Sequence, residues 1–179
     1  MSAFARSGRR ETEMKTAIGY LVSVLSLMVG VANAADECPV TEPNDGSFYA
    51  NESLKALVGS GSFGFRPGGP GFVDYDGALG IKFAFIRLIP GRLHVGGRRL
   101  DGEAGPARAY IYDYPYDSGN GGFQPIYLVF PTPGCWEISG GVSGERLTFV
   151  TLVEKVGDGP DWRMENPPQD RRITTTWRE

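Results

Sequence analysis

The stretch that decides the fold is FPTPGCWEISG, residues 130–140. The Pro-Thr-Pro-Gly sequence at 131–134 predicts a tight turn, because proline and glycine favour the backbone angles that turns need. An extended segment after that turn would point alternate side chains to opposite faces of a sheet. Trp136 and Ile138 then face a core, and Cys135 faces away from it.

Short apolar runs on both sides of this stretch predict six or seven strands. The clearest covers 79–85, where Leu79, Ile81, Phe83 and Phe85 alternate with glycine, lysine and alanine in the period of a half-buried strand. Ser143-Gly144-Glu145-Arg146 predicts a hairpin, and Gly96-Gly97 predicts the end of a strand in a solvated turn. The remaining strands are expected at 92–95, 107–112, 125–130, 136–142 and 147–156, with shorter candidates at 53–58 and 63–65.

These elements predict an all-β protein. The chain of 179 residues contains 26 glycines and 13 prolines, which lie mostly between the apolar runs, as turn residues do. No long amphipathic helix interrupts the runs. The spacing therefore favours an antiparallel β-sandwich over any parallel arrangement.

The pentapeptide GCWEI at 134–138 resembles the corner of immunoglobulin-like sandwiches, where a tyrosine follows a tight turn and precedes a buried apolar residue. Trp136 stands where tyrosine is usual, and its indole can only donate a hydrogen bond. The sequence from Gly122 through Thr132 to Val150 also resembles uncharacterised secreted bacterial proteins. This resemblance implies export and an immunoglobulin-like antiparallel β-sandwich, and it implies no activity.

The N-terminus has the three parts of a secretory signal peptide. Lys15 precedes an apolar run of 15 residues at 17–31, and Ala32-Asn33-Ala34 follows the run. The run is shorter than the roughly 20 apolar residues of a membrane-spanning helix. We expect residues 1–34 to be a signal peptide with an over-long N-terminus, cleaved after Ala34. The mature protein would then be periplasmic or extracellular and not membrane-spanning.

Composition divides the rest of the chain into three parts. Residues 35–58 are polar and rich in turns, which predicts an N-terminal arm. Residues 59–156 carry the strand pattern of the sandwich domain. Residues 157–179 lack periodicity and are expected to be an irregular or disordered tail.

The charge argues against a nucleic-acid partner. The full chain has 18 basic and 21 acidic residues. Removing residues 1–34 deletes four basic and two acidic residues, which leaves 14 and 19 and a net charge of −5. Nucleic-acid binding requires a clustered basic surface.

The two cysteines, Cys38 and Cys135, both lie beyond the expected cleavage site. An even number of cysteines in an exported chain predicts one disulfide. It would join the N-terminal arm to the outward face of the strand at 136–142. A free thiol and an intermolecular bridge are the alternatives.

Catalytic and metal-binding groups are scarce. His94 is the only histidine, so a thiol or serine nucleophile would depend on it, and no G-x-S-x-G motif occurs. Zinc would lack ligands, and Asp74-Tyr75-Asp76-Gly77 is explained by a turn more simply than by a calcium loop. We expect no cofactor, metal or catalytic residue, although a carboxylate pair distant in sequence stays open.

One segment suggests a binding surface. In YIYDYPYD, residues 110–117, four tyrosines at spacing two would share one face of an extended chain. Aromatic rings beside polar groups suit a glycan or peptide ligand, but strand tyrosines also commonly cover a core edge and pair across strands. Arg92, Arg98 and Arg99 could add an anion site nearby, although Gly96-Gly97-Arg98-Arg99 is explained more simply by a solvated turn. The candidate ligand-binding residues are Tyr110, Tyr112, Tyr114, Tyr116, Asp117, Arg98 and Arg99.

The sequence thus predicts an exported, non-catalytic immunoglobulin-like module that binds an unknown protein or glycan at the cell envelope or outside the cell. A secreted hydrolase with a carboxylate site on the sandwich is one alternative. An envelope assembly or structural factor is another.

Overall fold

The computed structural model describes residues 38–112 and 121–165, together with the backbone of 171–174. The expected signal peptide at 1–34 lies outside the described residues. Eleven strands occur in the described part. They are β1 (Tyr49–Ala50), β2 (Leu54–Ala56), β3 (Ser62–Phe65), β4 (Phe72–Val73), β5 (Leu79–Arg87), β6 (His94–Arg99), β7 (Arg108–Tyr112), β8 (Gly122–Phe130), β9 (Gly134–Val142), β10 (Glu145–Lys155) and β11 (Arg171–Thr174).

The strands form two sheets, which confirms the all-β prediction. The seven-stranded sheet has the order β1-β2-β5-β8-β7-β11, and β4 pairs with one end of β5. The four-stranded sheet has the order β3-β10-β9-β6. Most pairs are antiparallel, but β3 runs parallel to β10. The expectation of a sandwich without parallel pairing is therefore wrong at this edge, where a strand from the first half of the chain lies beside the last long strand.

The inner faces of the two sheets pack against each other around one core. Phe83 of β5 stacks on Phe149 of β10 with ring centroids 5.6 Å apart, so residues from both sheets meet directly. Leu128, Trp136 and Ile138 are each 0% exposed. Burying such side chains stabilises the fold by about 1.5–3 kcal/mol each.

The opening stretch behaves as its alternation predicts. Trp136 and Ile138 belong to the core, and β9 continues through a two-residue turn into β10. The turn contains Ser143 with φ 51°, as tight hairpins require. The indole Nε1 of Trp136 donates a hydrogen bond to the carbonyl of Thr132 over 3.1 Å. The indole therefore ties the start of β9 back to the turn before it.

The predicted disulfide between Cys38 and Cys135 is confirmed, with Cα atoms 5.5 Å apart. The arm that it holds also takes part in the sheet. Thr41 donates its backbone N–H to the Val150 carbonyl, and the Val150 N–H donates to Thr41 Oγ1 over 2.8 Å. The arm thereby occupies the edge of β10 at Val150, two residues before Leu152, where the pairing with β3 begins.

Strand β6 differs from its prediction. Leu93 and Val95 are buried as expected, but the strand continues through Gly96 to Arg99 instead of ending in a turn. A Cβ atom at Gly97 would lie 2.7 Å from the Glu137 carbonyl oxygen. Glycine is needed here because β6 lies so close to the neighbouring strand, and the sequence alone suggests a turn instead.

The predicted tail contributes to the seven-stranded sheet. Val73 of β4 accepts a hydrogen bond from the Met164 N–H and donates one to the Trp162 carbonyl. Met164 is buried with Phe72 in a second, smaller apolar cluster on the outer face of this sheet. β11 then pairs with β7 at the sheet edge. Residues 157–179 are therefore not uniformly irregular, since two parts of the segment bind to the sheet through the backbone.

Candidate ligand groove

The tyrosine run divides at the end of β7. Tyr110 and Tyr112 lie on the outer face of the seven-stranded sheet, as spacing two predicts. Their neighbours Ala109 and Ile111 face the main core. Tyr114, Tyr116 and Asp117 lie outside the described residues.

Tyr110 is a buried structural residue. It is 0% exposed, and its hydroxyl donates to Asp74 Oδ2 over 2.7 Å. Burial, together with this hydrogen bond, raises the pKa of Tyr110 far above its usual value. The interpretation of the tyrosines as residues that cover the sheet is therefore confirmed at this position.

Asp74 belongs to a charged network that fixes the turn before β5. The Gly77 N–H donates to the Asp74 carbonyl over 2.9 Å, which closes the turn that the sequence predicts. Arg108 of β7 forms salt bridges with Asp74 at 3.0 Å and with Asp76 at 2.6 Å. Its guanidinium also lies 5.5 Å from the centre of the Tyr75 ring.

The pKa shifts within this network favour the charged forms of Asp76 and Arg108. The hydrogen bond from Arg108 keeps the pKa of Asp76 below its usual value. Burial is the largest single influence on Arg108 and opposes its ionisation, but the hydrogen bond to Asp76 and the surrounding charges together outweigh it and raise the pKa of the guanidinium. Asp74 is 0% exposed. A fully buried carboxylate that binds an arginine and a tyrosine stabilises the turn and offers no surface to a substrate.

Arg98 and Arg99 lie on the other sheet, in β6. Arg98 binds Glu137 over 2.8 Å, and this bond raises the pKa of the guanidinium. Arg99 binds Asp101 over 2.6 Å. Both arginines are therefore neutralised by carboxylates, and the structure does not bring them together with Tyr112.

Tyr112 instead lines an open groove of about 570 Å³ on the outer face of the seven-stranded sheet. Its lining comes from β5, β7 and β8, together with Leu57, which follows β2. β2 pairs with Phe85–Arg87 and β4 with Leu79–Gly80, at the two ends of β5. The lining residues are Leu57, Lys82, Phe83, Ala84, Tyr112, Phe123, Pro125, Ile126 and Tyr127.

Three of the lining side chains, Tyr112, Phe123 and Tyr127, are aromatic. Tyr112 and Tyr127 contact each other with ring centroids 6.0 Å apart. Phe123 is 58% exposed, and Leu57 on the opposite side is 38% exposed. Large apolar side chains at this exposure often mark a binding surface when they lie together.

Sequence reasoning identified one aromatic residue of this groove and missed the rest. Phe123 and Tyr127 lie on β8, whose sequence GFQPIYLVF has apolar residues on both faces. A strand that is apolar on both faces indicates that something covers its second face, and this signal was present. Lys82 gave no signal, because an isolated lysine in an alternating strand is ordinary.

Comparison with family models, curated proteins and solved structures finds no match for this chain. The resemblance to secreted immunoglobulin-like proteins therefore stays a prediction. Among the described residues, no helix is long and apolar enough to cross a bilayer. In the same part of the chain, no group of three or more histidine, cysteine or acidic side chains is placed to hold a metal ion.

Proposed function

We propose that this protein is an exported, non-catalytic immunoglobulin-like module that binds its ligand in the groove on the seven-stranded sheet. The observation that carries the proposal is the cluster of Tyr112, Phe123 and Tyr127 around an open volume of about 570 Å³. This volume lies within the range of small-ligand sites, roughly 300–1,000 Å³. Phe123 is 58% exposed and Tyr112 is half-buried, and rings that are accessible in this way stack on the flat faces of sugars or side chains.

The immunoglobulin-like part of the proposal is supported by the turn before β9. In the tyrosine corner of such domains, the aromatic hydroxyl bonds to the backbone a few residues upstream. Trp136 donates in the same direction, to the carbonyl of Thr132. The tryptophan thus supplies the donor that the resemblance requires.

Export is supported by the signal-peptide pattern at 1–34 and by a disulfide, which forms in oxidising compartments. N-terminal sequencing of protein recovered from the periplasm or the medium is expected to begin at Ala35. Recovery of the uncleaved chain from the cytoplasm would contradict this part of the proposal.

Binding is tested on combined glycan and peptide arrays with three proteins. The Tyr112→Ala/Phe123→Ala double variant removes two rings, each contributing about 0.5–1.5 kcal/mol, so binding should fall about tenfold. Val156→Ala is the matched control, since Val156 is also 58% exposed but lies just beyond β10 in the other sheet. The proposal fails if the double variant binds as well as the unmodified protein, or if no ligand on the arrays binds.

A further inference from the structure

Among the described residues, Lys82 is the only charged side chain that lines the groove. It is exposed on the outer face of β5, and it lies in register opposite Tyr127 of β8. Among the ion pairs of the described residues, none involves Lys82. Lys55, on the same sheet, pairs with Asp45. Within the part of the chain that the structure describes, the Lys82 ammonium thus lies beside an aromatic surface and pairs with no carboxylate.

The surroundings of Lys82 determine which ligand the groove prefers. An uncharged ligand in the groove would leave the exposed ammonium in contact with water and gain no electrostatic attraction from it. A ligand with an acidic group would pair with Lys82, and the apolar walls would strengthen that pair relative to one in bulk water. The net charge of −3 on the whole chain gives an anion no general attraction, so any preference for acids must arise locally.

We infer that the groove takes an anionic ligand with a ring-shaped body, whose acidic group pairs with Lys82 while its ring packs against Tyr112 and Phe123. The inference rests on the proposed function, because it concerns the same groove. A uronic acid residue of a glycan and a small aromatic acid share this chemistry. The volume suits a ligand of that size better than an extended protein surface.

Two dyes that differ in one acidic group test the inference. 8-Anilinonaphthalene-1-sulfonate has an aromatic body and a sulfonate, and N-phenyl-1-naphthylamine has the same body without it. Dissociation constants are measured by fluorescence titration for the unmodified protein and for Lys82→Gln, Lys82→Glu and Phe123→Ala. Lys155→Gln is the matched control, because Lys155 is an exposed strand lysine in the four-stranded sheet. Circular dichroism checks that each variant is folded.

The expected pattern separates charge from ring packing. Lys82→Gln should weaken binding of the sulfonate dye about three- to fivefold, as expected for a solvent-accessible ion pair, and should leave the neutral dye within about 1.5-fold. Lys82→Glu should weaken the sulfonate dye further. Raising the salt concentration to about 0.5 M should remove most of the difference between the unmodified protein and Lys82→Gln. Phe123→Ala should weaken both dyes.

Each other outcome overturns a specific statement. Equal binding of the sulfonate dye by Lys82→Gln and Lys155→Gln overturns the role of Lys82 and leaves the groove as a neutral site. If Phe123→Ala binds both dyes as tightly as the unmodified protein does, the groove is not the binding site, and the proposed function is overturned as well. Competition by trigalacturonate or by benzoate then distinguishes the two sources of the ligand, and failure of both to compete overturns the ligand class.

Discussion

Breaking the Cys38–Cys135 disulfide is expected to destabilise the protein while leaving its core intact. The bond joins residues 97 positions apart. In the chain-entropy model, closing a loop of that length restricts the unfolded chain by about 4.7 kcal/mol, which is an upper value. Cys135 is 2% exposed, so alanine is the appropriate replacement.

Part of the arm should remain bound in the reduced protein. The hydrogen bonds between Thr41 and Val150 lie three residues from the cysteine and do not need the sulfur atoms. Each contributes about 0.5–1.5 kcal/mol. The loss should therefore appear mainly as easier global unfolding, together with faster exchange of the Val150 amide as the arm detaches more often.

The assay is urea unfolding followed by tryptophan fluorescence, with three samples at one pH. These are the oxidised protein, the same protein with a phosphine reductant, and the Cys38→Ala/Cys135→Ala variant. With a slope near 2 kcal/mol per molar urea, a loss of about 4 kcal/mol lowers the midpoint by about 2 M. The reduced protein and the variant should agree. Unchanged midpoints, or two free thiols in the untreated protein, would refute the reasoning.

Three further predictions concern single residues. Trp136→Phe removes the donor to Thr132 and part of a buried ring, so the free energy of unfolding should fall by about 2 kcal/mol in urea titration. Gly97→Ala places a Cβ 2.7 Å from the backbone oxygen of Glu137, which cannot retreat, and should cost about 1–3 kcal/mol by the same measurement. Asp76→Asn should lower stability by at most about 1 kcal/mol at pH 7, because the salt bridge is partly exposed. The pKa of Asp76 is lower in the folded protein than its usual 3.8. The stabilisation from the ionised Asp76 is therefore fully present above pH 3.8 and is lost as the pH falls through the lower pKa of the folded protein. At a pH below the folded value the variant and the unmodified protein should converge.

Each of these predictions has a control or a contrary outcome. Gly64→Ala is the control for Gly97→Ala, since no atom of the described residues other than its chain neighbours lies within 4 Å of a Cβ at that strand position. It should be neutral or stabilising. A Trp136→Phe variant as stable as the unmodified protein would show that the bond to Thr132 contributes nothing. A stability difference for Asp76→Asn that persists unchanged at low pH would assign the effect to something other than its charge.

Local sequence patterns predicted which residues form strands and which face the core, but they did not predict which distant strands pair. Alternation in 134–138 predicted that Trp136 lies in the core, because side chains of a strand alternate between its faces. The even number of cysteines in an exported chain predicted the disulfide between Cys38 and Cys135. The parallel pairing of β3 with β10 joins segments that lie 90 residues apart in the sequence, as in the pair Ser62–Leu152. No local preference specifies which distant edge a short strand will choose.

The candidate site shows the same limit at the level of single side chains. Tyr110 and Tyr112 have the same residue type, strand and face, and yet one is fully buried and the other lines the groove. Tyr110 belongs to the buried cluster with Phe72 and Met164 and donates to Asp74, whereas Tyr112 packs against that cluster only as a partly buried residue. A period-two pattern predicts the face on which a residue lies, but not what covers that face.

Lys82 lies where the covered half of the outer face meets the open half. Two residues before it, Gly80 lies under Phe72, so closely that a Cβ would be 2.1 Å from the ring. Two residues after Lys82, Ala84 lines the groove. On the neighbouring strand, Tyr127 lies opposite Lys82 and contacts both Phe72 and Tyr112. The ring of Tyr127, which is 6% exposed, is therefore held by these contacts where it lines the groove. A ligand that pairs with Lys82 would contact a surface already fixed by β4 and the segment around Met164, so little side-chain freedom would be lost on binding.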